Sequence, residues 1–450
     1  EKAKDIVRMS VARACLLEPL REFDLPVNKS ALVVGGGIAG MTCALSIANQ
    51  DHEVYLLEKD SQLGGIARKV HYTLDGLDVQ AYVQDLAQKV YRHPLVHVYT
   101  NAAITEAKGY VGNFVTAVKS SRGPAEIKHG AVVIAIGADM YTPTEYLYGE
   151  DDKVLTQLDL EGKLAAGDQS VLQCRSLAMI QCVGCRQEDR DYCSRICCAH
   201  AVKNALKLKE INPEADIHIY FRDMRTYGLN EDYYRLAAEK DIKFIRYEPA
   251  EKPVVEAVVE EGRPVLRVTA PDPVLGMKLA VDADLLALSA AVIPSAATNE
   301  IASLFKVQLS PDGFFKEAHV KLRPVDFGTD GVYLCGAAHY PKFIRESVSQ
   351  AYGAAGRVLT LLSRDTVVAS GSVCEVDENS CVSCGACITV CTYGAISFKH
   401  TPIGRKAVVN PVLCKGDGVC NTKCPTNAIQ LKHFTDEEVV SAIDAAMLDM

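Results

Sequence analysis

The sequence predicts an α/β protein: a discontinuous dinucleotide-binding domain, a second α/β domain inserted into it, and a small cysteine-rich α+β domain behind both. Three observations carry this prediction. A strand breaks into a glycine turn and then a helix between Ala31 and Asn49; a related strand and turn return only at Thr329–Ala338; and seven cysteines crowd between Cys381 and Cys424. At 450 residues the chain calls for two or three domains. Its 48% apolar and 23% charged residues suit buried cores. A net charge of −9 gives no reason to expect nucleic-acid binding. No apolar run reaches the ~18 residues of a membrane helix, so direct membrane insertion is not expected, and no signal peptide opens the chain. The 17 cysteines, at least seven of them in cluster spacing, favour a reducing cytoplasm over a secreted, disulfide-bonded state.

The first element is Ala31-Leu-Val-Val-Gly35-Gly36-Gly37-Ile38-Ala39-Gly40. Gly35 permits the tight turn, Gly37 lets the backbone approach a pyrophosphate, and Gly40 lets helix and strand pack closely. A helix over Met41–Asn49 follows, its unpaired N–H groups facing the phosphates, and Ile38 and Ala39 in the turn are counted among the cofactor-binding residues. A second strand, Glu53–Leu57, ends at Glu58, placed for the ribose hydroxyls of an adenosine, with Lys59 beside it. Leu63-Gly64-Gly65 follows at once, a continuation typical of flavoproteins with two dinucleotide-binding domains. Gly130–Gly137 reads as the strand leaving this domain, and Thr329–Ala338 as the strand and turn that close on the flavin through Gly336 and Ala337. An acid is usual where Ala337 stands. The whole constellation favours FAD over NAD.

A second dinucleotide domain should carry its own glycine fingerprint, yet none follows the strand at 170–180. Five cysteines stand there instead: Cys182, Cys185, Cys193, Cys197 and Cys198. We expect a 4Fe-4S cluster on Cys182, Cys193, Cys197 and Cys198, with Cys185 a substitute ligand or a bystander. A disulfide catalyst at the vicinal Cys197–Cys198 pair and a buried group of structural thiols are the alternatives.

The tail reads Cys381-x2-Cys384-x2-Cys387-x3-Cys391, then Cys414-x2-Asp417-x2-Cys420-x3-Cys424-Pro425. In such doubled runs three thiolates wrap one cubane and the fourth crosses to its neighbour. Cys381, Cys384, Cys387 and Cys424 are therefore assigned to one 4Fe-4S cluster, and Cys391, Cys414 and Cys420 to the other. Zinc is the alternative, but this is not a zinc-ribbon spacing. Asp417 stands where a cysteine is expected, and a carboxylate is a harder ligand than a thiolate. An Asp-ligated 4Fe-4S cluster is the preferred expectation and a 3Fe-4S cluster the alternative. Cys15, Cys43 and Cys335 read as core residues; Cys174 and Cys374 fit no spacing.

Gln-Cys-Val-Gly-x-Arg at 181–186, Tyr-Cys-Ser-Arg-x-Cys-Cys at 192–198, Phe221–Tyr227, Glu145–Gly149, Leu322–Phe327, Ala338–Ser347 and the two-cluster tail together resemble the A subunit of heterodisulfide reductase. That family usually has Ser at the position of Cys185 and Cys at that of Asp417. The resemblance implies a two-dinucleotide-binding-domain flavoprotein fold with a bacterial-type two-cluster ferredoxin domain. It also implies an FAD-centred electron-transfer subunit of a larger complex, acting with ferredoxin or a hydrogenase-linked carrier, in some members by electron bifurcation. Related subunits look similar in benzoyl-CoA-reductase-type complexes. The opening helix, expected over Lys2–Leu20, resembles the segment that follows an earlier module in longer members, so a short form or the C-terminal part of a longer protein is expected. A cation at Lys342, just beyond the closing turn, would favour anionic flavin forms, or is a solvated lysine; His339 is a candidate for proton transfer.

The expected divisions are an N-terminal helix (1–27), a first flavin-domain segment (28–168), the inserted domain (169–299), a second flavin-domain segment (300–366), the ferredoxin domain (367–433) and an amphipathic C-terminal helix (434–450). That helix shows Val439, Val440, Ile443 and Met447 as one stripe, to pack on the ferredoxin domain or dock a partner. A self-sufficient NAD(P)H-linked flavoenzyme and a non-catalytic scaffold are the alternative functions.

Overall fold

The computed structural model describes residues 2–20, 22–272, 276–369 and 373–447, in two compact units. One comprises residues 29–107 and 115–360, the other residues 1–28, 108–114 and 361–450.

The larger unit contains two five-stranded parallel sheets. In the first, the order is Val332–Leu334, Ala131–Ile134, Ala31–Val34, Val54–Leu57, Val96–Tyr99. Ala31–Val34 and Ala131–Ile134 are buried at every residue, as strands covered on both faces must be. The last-arriving strand, Val332–Leu334, inserts at the edge next to Ala131–Ile134, which makes this domain discontinuous. The second sheet runs Val154–Thr156, Leu285–Ala290, Ser176–Val183, Asp216–Phe221, Lys243–Arg246. In each domain a three-stranded antiparallel meander directly precedes a strand of the parallel sheet: Ala103–His129 before Ala131–Ile134, and Val254–Ala283 before Leu285–Ala290. An antiparallel pair, Ala138–Met140 with Val292–Pro294, joins the two domains.

The inserted sheet thus begins at Val154, ahead of the expected boundary at residue 169. The strand Val154–Thr156 has three residues, too few to show a period, and Thr156 then caps the helix Gln157–Ala166 through a reciprocal bond pair with Asp159.

In the smaller unit, the hairpin Ile396–Thr401/Gly404–Val409 and the pair Cys374–Val376/Ile429–Leu431 frame two short helices, Ala386–Val390 and Val419–Thr422. The N-terminal helix ends at Ala14 rather than continuing to Leu20, and Pro19 explains why no helix resumes, since it drives Glu18 away from helical backbone. Cys15, expected in a core, is exposed just past that end. The C-terminal helix Asp436–Met447 packs on Lys2–Ala14, with the Arg13 guanidinium 4.3 Å from the Phe434 ring centroid. Its stripe of Val439, Val440, Ile443 and Met447 stays largely exposed. The last three expected residues of that segment, 448–450, lie outside the described residues. Among the described residues no helix is long and apolar enough to cross a membrane.

Candidate functional site

The glycine turn is built by exclusion. A Cβ on Gly35 (φ +108°) would lie 2.3 Å from the Ala135 carbonyl oxygen, and one on Gly40 1.8 Å from the Gly35 oxygen. At Gly37 a Cβ would meet nothing within 4 Å, so the cradle is open on the side a pyrophosphate would approach. Gly37 caps the helix Ile38–Ala48 with no side chain, leaving its first N–H groups for an anion. Buried Glu58 accepts from Gly36 N at 2.8 Å and Asp60 N at 2.9 Å, fixing its carboxylate beside the turn. Lys59 is exposed. Gly64 N donates to Gly36 O at 2.8 Å, and Gly65 (φ +55°) approaches Gly37. Gly137 (φ +75°) follows Ala131–Ile134, with open space around it. These residues fit a bound dinucleotide.

The closing turn reaches the same place. A Cβ on Gly336 would stand 2.7 Å from that of Ala39, so the two glycine turns meet. Ala337 follows, half-buried. Gln350 Oε1 accepts from Gly336 N at 3.0 Å, and buried Lys342 Nζ donates to Gly336 O at 2.7 Å. Lys342 also lies 3.8 Å from the Tyr340 ring centroid, and burial pulls its pKa down to about 7. Gln350 Nε2 donates to His339 Nδ1 at 2.7 Å, which leaves His339 Nε2–H to donate to Glu317 at 2.9 Å. Burial first, then the Lys342 charge, lower the His339 pKa, so the ring is held neutral with both nitrogens engaged. Gln350 and Glu317 have no sequence signal; each is one polar residue among many.

The middle cysteines converge. Cys182, Cys185, Cys197 and Cys198 are all buried. Cys182 and Cys185 lie close enough to shift each other's ionisation, as do Cys197 and Cys198. Both pairs are close enough to act on each other electrostatically. Cys185 is therefore within the group. Half-buried Cys193 accepts from Arg195 N at 3.3 Å. The segment is strained, with Cys182, Arg186 and Arg195 all at φ between 56° and 63°, the kind of backbone that clusters at functional sites. Gly184 is required, because a Cβ there would penetrate the Tyr141 ring at 2.2 Å. The motif Phe221–Tyr227 supplies Arg222, Asp223 and Arg225 around these thiols. Arg186 lies 4.0 Å from Cys182 Sγ and pairs with Asp223 at 2.7 Å. Positive charge around thiols favours their ligating, deprotonated form.

Arg195 ties this loop to the closing turn. Its guanidinium donates to Pro341 O at 3.1 Å, Tyr227 Oη at 2.6 Å and Glu346 Oε1 at 3.0 Å.

The helix Cys197–Ile211 is anchored one turn below its cysteines. Fully buried Glu161 accepts from His200 Nε2 at 2.7 Å, Lys203 Nζ at 2.8 Å and His71 N at 2.7 Å. Burial pushes the Glu161 pKa up, but the bonds and charges of His200 and Lys203 outweigh it and bring it to about 2. Sequence reading missed this network, whose members lie 39 and 42 residues apart.

In the tail, Cys381, Cys384, Cys387 and Cys424 line one small cavity. Cys391 Sγ accepts from Ala395 N at 3.3 Å and Cys424 Sγ from Ala428 N at 3.2 Å, a matched pair four residues on in each run. Cys414 and Cys420 sit in the same apolar cluster, and Asp417 is exposed. Cys374 is buried there, its Sγ 3.3 Å from Cys420 Sγ and close to Cys414. Among the described residues no three His, Cys, Asp or Glu side chains are posed around a metal ion. The donor set, soft thiolates in an apolar fold, still fits iron–sulfur chemistry.

Residues 33–93 match a family of NAD(P)-binding Rossmann-like domains, and residues 368–428 a 4Fe-4S dicluster domain family. Solved thioredoxin reductases share the fold. The Lactococcus lactis enzyme gives a TM-score of 0.51 at 18% identity, covering 74% of this chain and 99% of that one. The T. acidophilum enzyme gives 0.50 at 15%, covering 74% and 97%. The fold and sites together define an oxidoreductase component that is a flavoprotein and also carries 4Fe-4S clusters. Among relatives, an iron-sulfur A subunit (A 2) of the CoB–CoM heterodisulfide reductase of Methanopyrus kandleri is 34% identical, over 88% of this chain and 74% of its own length. The A subunit of the H2:CoB-CoM heterodisulfide,ferredoxin reductase of Methanothermobacter marburgensis is 33% identical, over 99% and 80%. The chain belongs to the family of heterodisulfide reductase A subunits.

Proposed function

We propose that this chain is the FAD- and iron–sulfur-dependent electron-transfer subunit of a heterodisulfide-reductase-type complex, with the terminal substrate reduced on partner subunits. The observation that carries the reading is Arg195, one residue held by both the cysteine loop and the flavin-closing loop. Bound FAD exchanges electrons in pairs or singly and each cluster one at a time, which makes the chain a junction. Three clusters are proposed. One lies on Cys182, Cys197 and Cys198 with Cys185 or Cys193, and two lie in the tail. Gly35, Gly37, Gly40 and Glu58 hold the dinucleotide. Lys342 and Gln350 clamp Gly336, and His339 is fixed as a neutral ring that positions Gln350. Electrons pass between a ferredoxin or hydrogenase-linked carrier and a disulfide, or another low-potential acceptor such as an aromatic acyl-CoA, with bifurcation at the flavin. A cytoplasmic complex suits these thiolates.

The test is iron, acid-labile sulfide and flavin content of anaerobically purified protein. About twelve irons and one FAD per chain are expected. About eight irons would leave the inserted domain without a cluster and make Cys197–Cys198 the candidate disulfide catalyst. Rapid bleaching of the flavin by NADH would instead favour a self-sufficient NAD(P)H-linked enzyme, and redox-inert clusters a scaffold.

A further inference from the structure

We infer that Cys374 supplies the thiolate missing at position 417 and completes the second C-terminal cluster with Cys391, Cys414 and Cys420. The inference rests on the reading that these last three hold a cluster.

Two independent observations carry it. First, the Asp417 carboxylate is engaged by the backbone of its own loop. It is exposed, and its Oδ1 accepts from Val419 N at 3.3 Å, capping the short helix that carries Cys420. Second, a buried thiol has come to the same site from elsewhere in the chain. The strand Cys374–Val376 pairs antiparallel with Ile429–Leu431, setting Cys374 opposite Leu431. That register brings Cys374 Sγ to 3.3 Å from Cys420 Sγ and close enough to Cys414 for the two thiols to act on each other. Cys374 is 2% exposed, among Ile429, Leu431 and the cluster cysteines.

The chemistry favours this exchange of ligands. A thiolate among sulfide-bridged irons is a softer and tighter ligand than a carboxylate. Three thiols crowded in an apolar pocket are poor hydrogen-bond partners for one another, whereas as metal ligands they would each give up a proton and part around the cluster. Cys374 lies seven residues ahead of Cys381, outside both cysteine runs, so strand pairing alone delivers it.

The experiment uses the whole chain, purified anaerobically, with iron per chain, EPR of the oxidised sample and Mössbauer spectra. Wild type and Asp417→Ala should both keep a full iron count without a 3Fe-4S signal. Cys374→Ser should lose about one iron per chain and gain that signal. Adding Asp417→Cys to Cys374→Ser should restore the iron, because it returns a thiolate to the usual position. The proposal is overturned if Cys374→Ser keeps the wild-type iron and spectra, or if Asp417→Ala is the variant that loses iron. It is also overturned if Cys374→Ser loses both tail clusters and Asp417→Cys does not rescue them, which would make Cys374 a core residue. Failure of the underlying reading looks different: Cys414→Ser would leave the iron count unchanged.

Discussion

Glu161→Gln tests how the inserted domain holds its cysteine-bearing helix. The substitution keeps the shape and an acceptor for His71 N, and removes only the charge that faces Lys203 and His200. Burial already pulls the pKa of both Lys203 and His200 down, so without Glu161 the lysine is a buried cation with no counter-charge. Removing one partner of such a pair costs about 3–5 kcal/mol. Urea unfolding, followed by release of bound flavin, should show a midpoint lowered by about 1–1.7 M for an m-value near ~3 kcal/mol/M. Adding Lys203→Met should recover most of the loss, because a neutral, apolar replacement of both partners is tolerated where a half-pair is not. The pH dependence gives a second readout. With Glu161 held at about 2 in the folded protein and an unfolded carboxylate near ~4.3, its pairing contributes about 3 kcal/mol at neutral pH. That contribution is lost as pH falls from about 4.3 to about 2, and Glu161→Gln should lack this acid limb. A Glu161→Gln midpoint within about 0.2 M of wild type would refute the idea that a charged pair anchors the helix.

Three further substitutions probe the flavin side. Gly40→Ala forces a Cβ to within 1.8 Å of the Gly35 oxygen, so the purified variant should lose its FAD while the tail domain keeps its iron, read by flavin and iron analysis. Lys342→Met should lower the flavin midpoint potential below about pH 7 and leave it unchanged well above, because the buried lysine carries its charge only below that pH; visible redox titrations from about pH 6 to about 9 would show it. Equal potentials at every pH would remove Lys342 from any redox role. Arg195→Lys should shift the potential of the inserted cluster or loosen flavin retention by several-fold, since a point charge cannot serve Pro341, Tyr227 and Glu346 together; unchanged flavin affinity and cluster spectra would dismiss it.

What could be read directly was local. The glycine turn at Gly35–Gly40 and the two cysteine runs place their residues by spacing, so loops a few residues long determine them. The discontinuous domain was legible for the same reason, because its two turns each carry their own glycines. What escaped depends on pairing across the chain. Val154–Thr156 is recognisable only through its partner Leu285–Ala290, and Glu161 looks like any helical acid until His200 and Lys203 arrive from the helix Cys197–Ile211. Cys374 had no motif because its neighbourhood is set by Ile429–Leu431, more than fifty residues later. Cys15 was misjudged with its helix: once the helix stops at Ala14, nothing remains to bury it.

Arg195 has one further consequence. Its backbone N–H contacts the sulfur of Cys193 while its guanidinium grips the Pro341 carbonyl, so two loops 146 residues apart in sequence behave as one mechanical piece. Were Cys193 a ligand of the proposed cluster, rocking of the closing turn would reach that sulfur as a lengthened or tilted N–H···S contact, and such contacts are among the levers that set a cluster's potential. The residue would then be a tuning peg, through which strain at one redox centre resets the pitch of the other.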